Sequence, residues 1–218
     1  ETTKSHSKRS RKHALALALT AGSLMTISGA AVATGTFVPA GDKSVAITSG
    51  TCGQGAQANG GQSVSIGCGT GVGAKGPNGL GFADNDTSIG YQAGLNVAGN
   101  NNSAIGTNAG ETVKGNNNTA FGVSAGKTIT GSKNTSLGDN SGFNIKGDGN
   151  LSVGSGSGAN VTGDHNVMLG TRATVKGSTA ADPISHAVVV GYQASASKSN
   201  NVALGSNAKA EHANSVAL

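Results

Sequence analysis

Asn102-Ser-Ala-Ile-Gly106, Asn118-Thr-Ala-Phe-Gly122, Asn134-Thr-Ser-Leu-Gly138, Asn150-Leu-Ser-Val-Gly154 and Asn166-Val-Met-Leu-Gly170 repeat one five-residue phrase at a step of 16. A second beat keeps the same step: Val97, Val113, Ile129, Ile145 and Val161, each followed two residues later by a glycine. A short fixed period means that each unit buries its apolar face only against its neighbours, so the chain reads as a stack of coils.

Working outward, the residue before each strand-ending glycine marks the coils: Ile66, Ile89, Ile105, Phe121, Leu137, Val153, Leu169, Val190, Leu204 and finally Leu218. Their gaps are 23, then 16 five times, then 21, 14 and 14. Apolar residues at helical spacing are absent, and glycine punctuates the sequence too often for helices. Sixteen residues suffice for two short strands and two tight turns. The expected fold is all-β: a single-stranded parallel β-roll or solenoid of 14–16-residue coils, neighbouring coils about 4.8 Å apart, and ten coils on the order of 45–50 Å long.

Within a coil, alternation places Ser103 and Ile105 on one face and Ala104 on the other. The face with the large side chain is expected to fill the roll, giving a core of Ile66, Ile89, Ile105, Phe121, Leu137, Val153, Leu169, Val190 and Leu204. Asn102, Asn118, Asn134, Asn150 and Asn166 should lie above one another, with Asn201 in the same place among the shorter coils. Their amides could form a hydrogen-bonded ladder that stabilises a flat sheet, or they could be turn formers that tolerate a left-handed backbone. The constant phase favours the ladder. The few apolar groups per coil make a thin core, so burial between chains, and hence an oligomer, is expected.

Composition fits a repetitive ordered rod better than an ordinary globule. The 218 residues include 37 glycines and no tryptophan, with 3% aromatic and 11% charged residues. The net charge of +5 is concentrated at the start, where Lys4, Lys8, Arg9, Arg11 and Lys12 fall. Past residue 33, ten Lys or Arg face nine Asp or Glu, which leaves +1. No concentrated basic field marks a nucleic-acid partner.

Residues 1–33 carry the features of a secretory signal, helical or disordered. A basic stretch from Lys4 to His13 precedes the apolar run Ala14 to Ile27, and Ala31-Val-Ala33 offers a small-x-small cleavage site before Thr34. A membrane-spanning helix is the competing reading, but Ser23, Thr26, Ser28 and Gly29 interrupt the run before about 20 apolar residues accumulate. The expected organisation is a signal over 1–33, a lead-in segment over 34–60 and repeats over 61–218.

The units Asn201-Val-Ala-Leu-Gly-Ser-Asn-Ala208 and Ser215-Val-Ala-Leu218, 14 apart, resemble the head repeats of trimeric autotransporter adhesins, and Glu1-Thr-Thr-Lys-Ser-His-Ser-Lys-Arg-Ser10 resembles the end of that family's extended signal peptide. The resemblance covers residues 1–33 and about 61–218. It implies a left-handed parallel β-roll, a homotrimer displayed on the outer surface of a Gram-negative bacterium, and attachment to extracellular-matrix proteins, cells or surfaces. It also implies outer-membrane anchorage through a C-terminal barrel. The chain departs from the pattern in its 16-residue coils and in stopping mid-repeat at Leu218; no neck, stalk or barrel is visible in it. It is therefore read as a fragment, with anchorage and trimer state carried by analogy.

Motifs that could suggest chemistry do not hold up in context. Gly71-Val-Gly-Ala-Lys-Gly76 spells a dinucleotide-binding pattern, but Pro77-Asn-Gly follows where a helix must start. Gly122-Val-Ser-Ala-Gly-Lys-Thr128 is one residue short of a phosphate-binding loop, and Lys127 occupies a variable position. Asp84-Asn-Asp86 opens like a calcium loop but lacks its turn glycine and closing glutamate. His165, His186 and His212 read as isolated surface residues, without carboxylates or cysteines at ligand spacing. No nucleophile–base arrangement is recognisable. The expectation is a non-catalytic protein without cofactor or metal, whose ligand residues are unknown.

Cys52 and Cys68 are 16 apart, which in an exported protein invites a disulfide between stacked coils. The 19 residues from Ile47 to Ile66 could instead put them out of phase. The long coils 67–89 and 170–190 must loop out surplus residues, either to carry contacts or only to change coil length. Other classes fit less well: a phage tail-fibre segment is disfavoured by the signal, a carbohydrate-processing β-helix by scattered charges, and an ice-binding solenoid by the lack of a regular Thr-x-Thr rank.

Overall fold

The computed structural model describes residues 44–48, 52, 54–58, 60–75 and 84–218. The expected signal over 1–33, the start of the lead-in segment and Pro77 lie outside the described residues.

Two- and three-residue strands follow one another from Val45–Ile47 to Val216–Ala217, and every pairing between them is parallel. They stack as a β-solenoid of about ten turns, and no helix occurs among the described residues. One eleven-stranded sheet runs the whole length. It takes in Val64–Ile66, Ser103–Ile105, Thr119–Phe121 and Val202–Leu204, each paired one coil on. The opposite wall is a five-stranded sheet from Asn96–Ala98 to Val161–Thr162, then a three-stranded sheet of Thr174–Val175, Ser195–Ala196 and Lys209–Ala210. The break between these two sheets coincides with the long coil 170–190, where the coil shortens from 16 to 14 residues. Because Val45–Ile47 already pairs with Val64–Ile66, the stack begins before residue 61, inside the expected lead-in segment.

The register is strict. Ile89 pairs with Ile105, Ile105 with Phe121 and Phe121 with Leu137. Glycine is required where backbones touch. At Gly131 the backbone has φ of 135°, and a Cβ there would stand 2.0 Å from the Gly147 carbonyl oxygen of the next coil. No side chain fits that space at that dihedral.

The core differs from the expected one. Ile66, Ile89, Ile105, Val153, Leu169 and Val190 are only half-buried, while Phe121, Leu137 and Leu204 are exposed, Phe121 by 56%. The middle residue of each strand points inward instead: Ser65, Ser88, Ala104, Ala120, Ser136, Ser152, Met168, Val189 and Ala203. The reason is width. The second wall already supplies one large side chain per coil, Val97, Val113, Ile129, Ile145 and Val161, all buried. The corner between the walls is so tight that a Cβ on Gly126 would meet the Cβ of Ala120 at 3.0 Å. The first wall can therefore place only alanine or serine inside. Around the long coil the pattern varies: Met168 and Val189 are the inward residues of the first wall, facing buried Val175, Ala194 and Ala196, and beyond it Ala203 takes the inward position.

Candidate interaction surface

Asparagine fixes one corner of every regular coil. The Oδ1 of Asn102 accepts the backbone N–H of Asn118 at 3.0 Å and its side-chain Nδ2 at 3.1 Å. The same pair of bonds links Asn118 to Asn134, Asn134 to Asn150 and Asn150 to Asn166. Each Nδ2 also donates to a carbonyl across the corner, that of Gly131 for Asn118 and Gly147 for Asn134. The Asn166 Oδ1 accepts the N–H of Ala187, whose methyl side chain has no polar atom to continue the ladder; it resumes at Asn201, whose Oδ1 accepts the N–H of Ser215. Every rung is buried, so the ladder is internal scaffolding, unavailable to a ligand.

A second ladder, absent from the sequence reading, runs two residues earlier. Here the side chain of each coil accepts from the coil before: Asn100 N–H donates to Asn116 Oδ1, Asn116 N–H to Ser132 Oγ, Ser132 N–H to Asp148 Oδ1 and Asp148 N–H to Asp164 Oδ1. Asp84 belongs to it, accepting the Gly61 N–H, whereas Asp86 belongs to the inner ladder. The two carboxylates of the calcium-like triplet thus serve different ladders.

The remaining motif residues are structural. Gly71–Ala74 form turns and Lys75 bridges to Ala98, with no helix starting among them. Lys127 pairs with Glu111 at 3.2 Å, one coil away. His165 and His186, read as isolated, stack with ring centroids 5.4 Å apart, because the long coil turns a separation of 21 residues into one step of the stack. His212 is exposed. No group of three or more His, Cys, Asp or Glu could hold a metal ion among the described residues. Cys52 and Cys68 are bonded, with Cα atoms 5.7 Å apart, stapling neighbouring coils. Beyond Thr174–Val175 the surplus residues of the long coil form an exposed turn in which the Thr179 N–H donates to the Asp182 carbonyl, and Asp182 meets Lys198 at 3.0 Å.

The outer face of the eleven-stranded sheet remains. It carries one in-register apolar column from Ile47 through Ile66, Ile89, Ile105, Phe121, Leu137, Val153, Leu169 and Val190 to Leu204. Beside it the first strand residues are polar in mid-stack, Thr87, Ser103, Thr119 and Thr135, then apolar from Leu151 through Val167, Val188 and Val202 to Val216. No family model, curated protein or solved structure matches this chain. What the surface can do follows from its chemistry: a partly exposed, in-register apolar column running along the eleven-stranded sheet is suited to covering by another surface.

Proposed function

We propose that the chain is the head of an exported bacterial surface adhesin, non-catalytic and homotrimeric, which attaches cells to extracellular-matrix proteins, other cells or surfaces. The observation that carries this reading is the apolar column from Ile47 to Leu204. A monomer with so thin a core gains from covering that strip, and side-by-side chains present the same in-register strip to one another. The opposite walls then face outward, repeated at every coil and on every chain, so weak contacts sum to avidity without a deep pocket. The adhesin-like units at Asn201–Ala208 and Ser215–Leu218 and the signal-like residues 1–33 support the same class and its export to the cell surface.

The test joins assembly to binding. Light scattering of the purified chain is expected to give three times the monomer mass of 21.0 kDa. Beads coated with it should adhere to immobilised matrix proteins far better than beads carrying an equal mass of a monomeric variant. A monomeric parent chain, or beads that bind no matrix protein, cell or surface, would overturn the reading.

A further inference from the structure

Asp86 is the one acidic rung of the inner ladder. Ser44, Ser63, Asp86 and Asn102 occupy the same slot in successive coils. The Ser63 N–H donates to Ser44 Oγ, the Asp86 N–H to Ser63 Oγ, and the Asn102 N–H to Asp86 Oδ1 at 2.7 Å. At the regular rungs the second side-chain atom is an amide nitrogen that donates across the corner, to Gly115 from Asn102 and to Gly131 from Asn118. The Asp86 atom in that place, Oδ2, is buried and has no hydrogen-bond partner, and the side chain is only 6% exposed. It borders a cavity of about 10 Å³ lined also by Gln57, Ser63, Ser65 and Ser88.

We propose that Asp86 is a proton-operated latch joining the N-terminal coils, residues 44–75, to the regular stack. With a proton on Oδ2 the carboxyl copies asparagine: Oδ1 accepts from Asn102, and Oδ2–H donates across the corner, where the Gly99 carbonyl lies in register with that of Gly115. Without the proton, Oδ2 is a buried anionic acceptor in a slot built for a donor. Among the described residues no cation compensates it. The coil before presents the hydroxyls of Ser63 and Ser65, the coil after presents Asn102, Asp84 adds a second negative charge, and exposed Lys75 does not line the cavity. Burial, offset in part by the bonds from Asn102 and reinforced by Asp84, raises the carboxyl to about 7.

The sign follows from proton binding. The folded latch holds its proton between the ordinary carboxylate range and about pH 7, where the opened chain has already lost it. The latch is therefore tight in acid and loosens as pH rises through that window, with no further change above it. The difference corresponds to up to roughly a thousandfold in the local opening equilibrium.

Carbon-13 NMR of the aspartate carboxyls in the full chain should show one midpoint near 7, and Asp86→Asn should remove it. Amide exchange, corrected for intrinsic rates, should show the Val64 and Asn102 amides losing protection by up to that factor between pH 4.5 and 8.5 relative to Asn134. In Asp86→Asn, and in Asp86→Ser should the first variant fold poorly, protection should be flat over that range. A normal acidic midpoint for Asp86, or a loss of protection that persists in the variants, would overturn the latch.

Discussion

Asn116 and Asn118 stand two residues apart on one corner and reach in opposite directions along the stack. Asn116 Oδ1 takes the N–H of Asn100 from the coil before, at 2.8 Å, and Asn118 Oδ1 takes the N–H of Asn134 from the coil after, at 3.0 Å. Successive N–H groups at a corner diverge from the sheet direction and cannot all find carbonyls in the next coil. Two side-chain ladders of opposite polarity satisfy them, which lets the chain turn sharply without leaving buried donors orphaned.

The ladders differ in burial and hence in worth. Asn134 is fully buried; removing its side chain orphans the Asn150 N–H and the Gly147 carbonyl within the roll. Asn134→Ala should cost about 2–4 kcal/mol. Asn116 is half-buried, and water can replace its Oδ1 at the Asn100 N–H, so Asn116→Ala should cost under about 1 kcal/mol. Urea unfolding followed by far-ultraviolet circular dichroism checks the order; equal costs would show that burial does not separate the ladders.

The period, the parallel stacking and the inner asparagine column were legible in the sequence because each is a residue type recurring in fixed phase. The second ladder was not, since Asn100, Asn116, Ser132, Asp148 and Asp164 share only a side-chain acceptor, not an identity. The His165–His186 stack was hidden by the 21-residue coil. The calcium-like spacing of Asp84 and Asp86 masks the phase that Asp86 shares with Asn102, 16 residues later. The inner and outer faces are not separable by residue type alone, because a column of Ile, Phe, Leu and Val reads equally as core or as covered surface. The deciding clue is in the sequence: Val113 and Ile129 supply a large group per coil, and in the mid-stack coils the close corners leave room only for Ala or Ser opposite them.

The staple between Cys52 and Cys68 lies among the least regular coils, next to an interval outside the 16-residue step. Closing a loop of that length constrains the unfolded chain by about 3 kcal/mol. In a stack where each coil touches only its neighbours, the effect should stay local. The paired substitution Cys52→Ser with Cys68→Ser should hasten amide exchange at Val45–Ile47 and Val64–Ile66 and leave Thr135–Leu137 unchanged. Uniform loss of protection along the chain would instead mean that the rod unfolds as one cooperative unit.

Ala120 and Phe121 are adjacent, and their order of importance inverts what side-chain size suggests. Ala120 is 3% exposed and faces the corner at Gly126, where the space is already filled. Ala120→Leu should therefore cost about 1–3 kcal/mol or more through overpacking. Phe121 is 56% exposed on the chain itself, so Phe121→Ala removes little intrachain packing. If the apolar column is covered by sister chains, Phe121→Asp combined with Leu137→Asp should lower the mass in light scattering from three chains to one, with the β circular dichroism retained. A charge in a covered apolar strip loses its water without gaining a partner, whereas on an open face it is tolerated. An unchanged oligomer would move the contact to another wall. A chain that unfolds on Phe121→Asp alone would return Phe121 to the core.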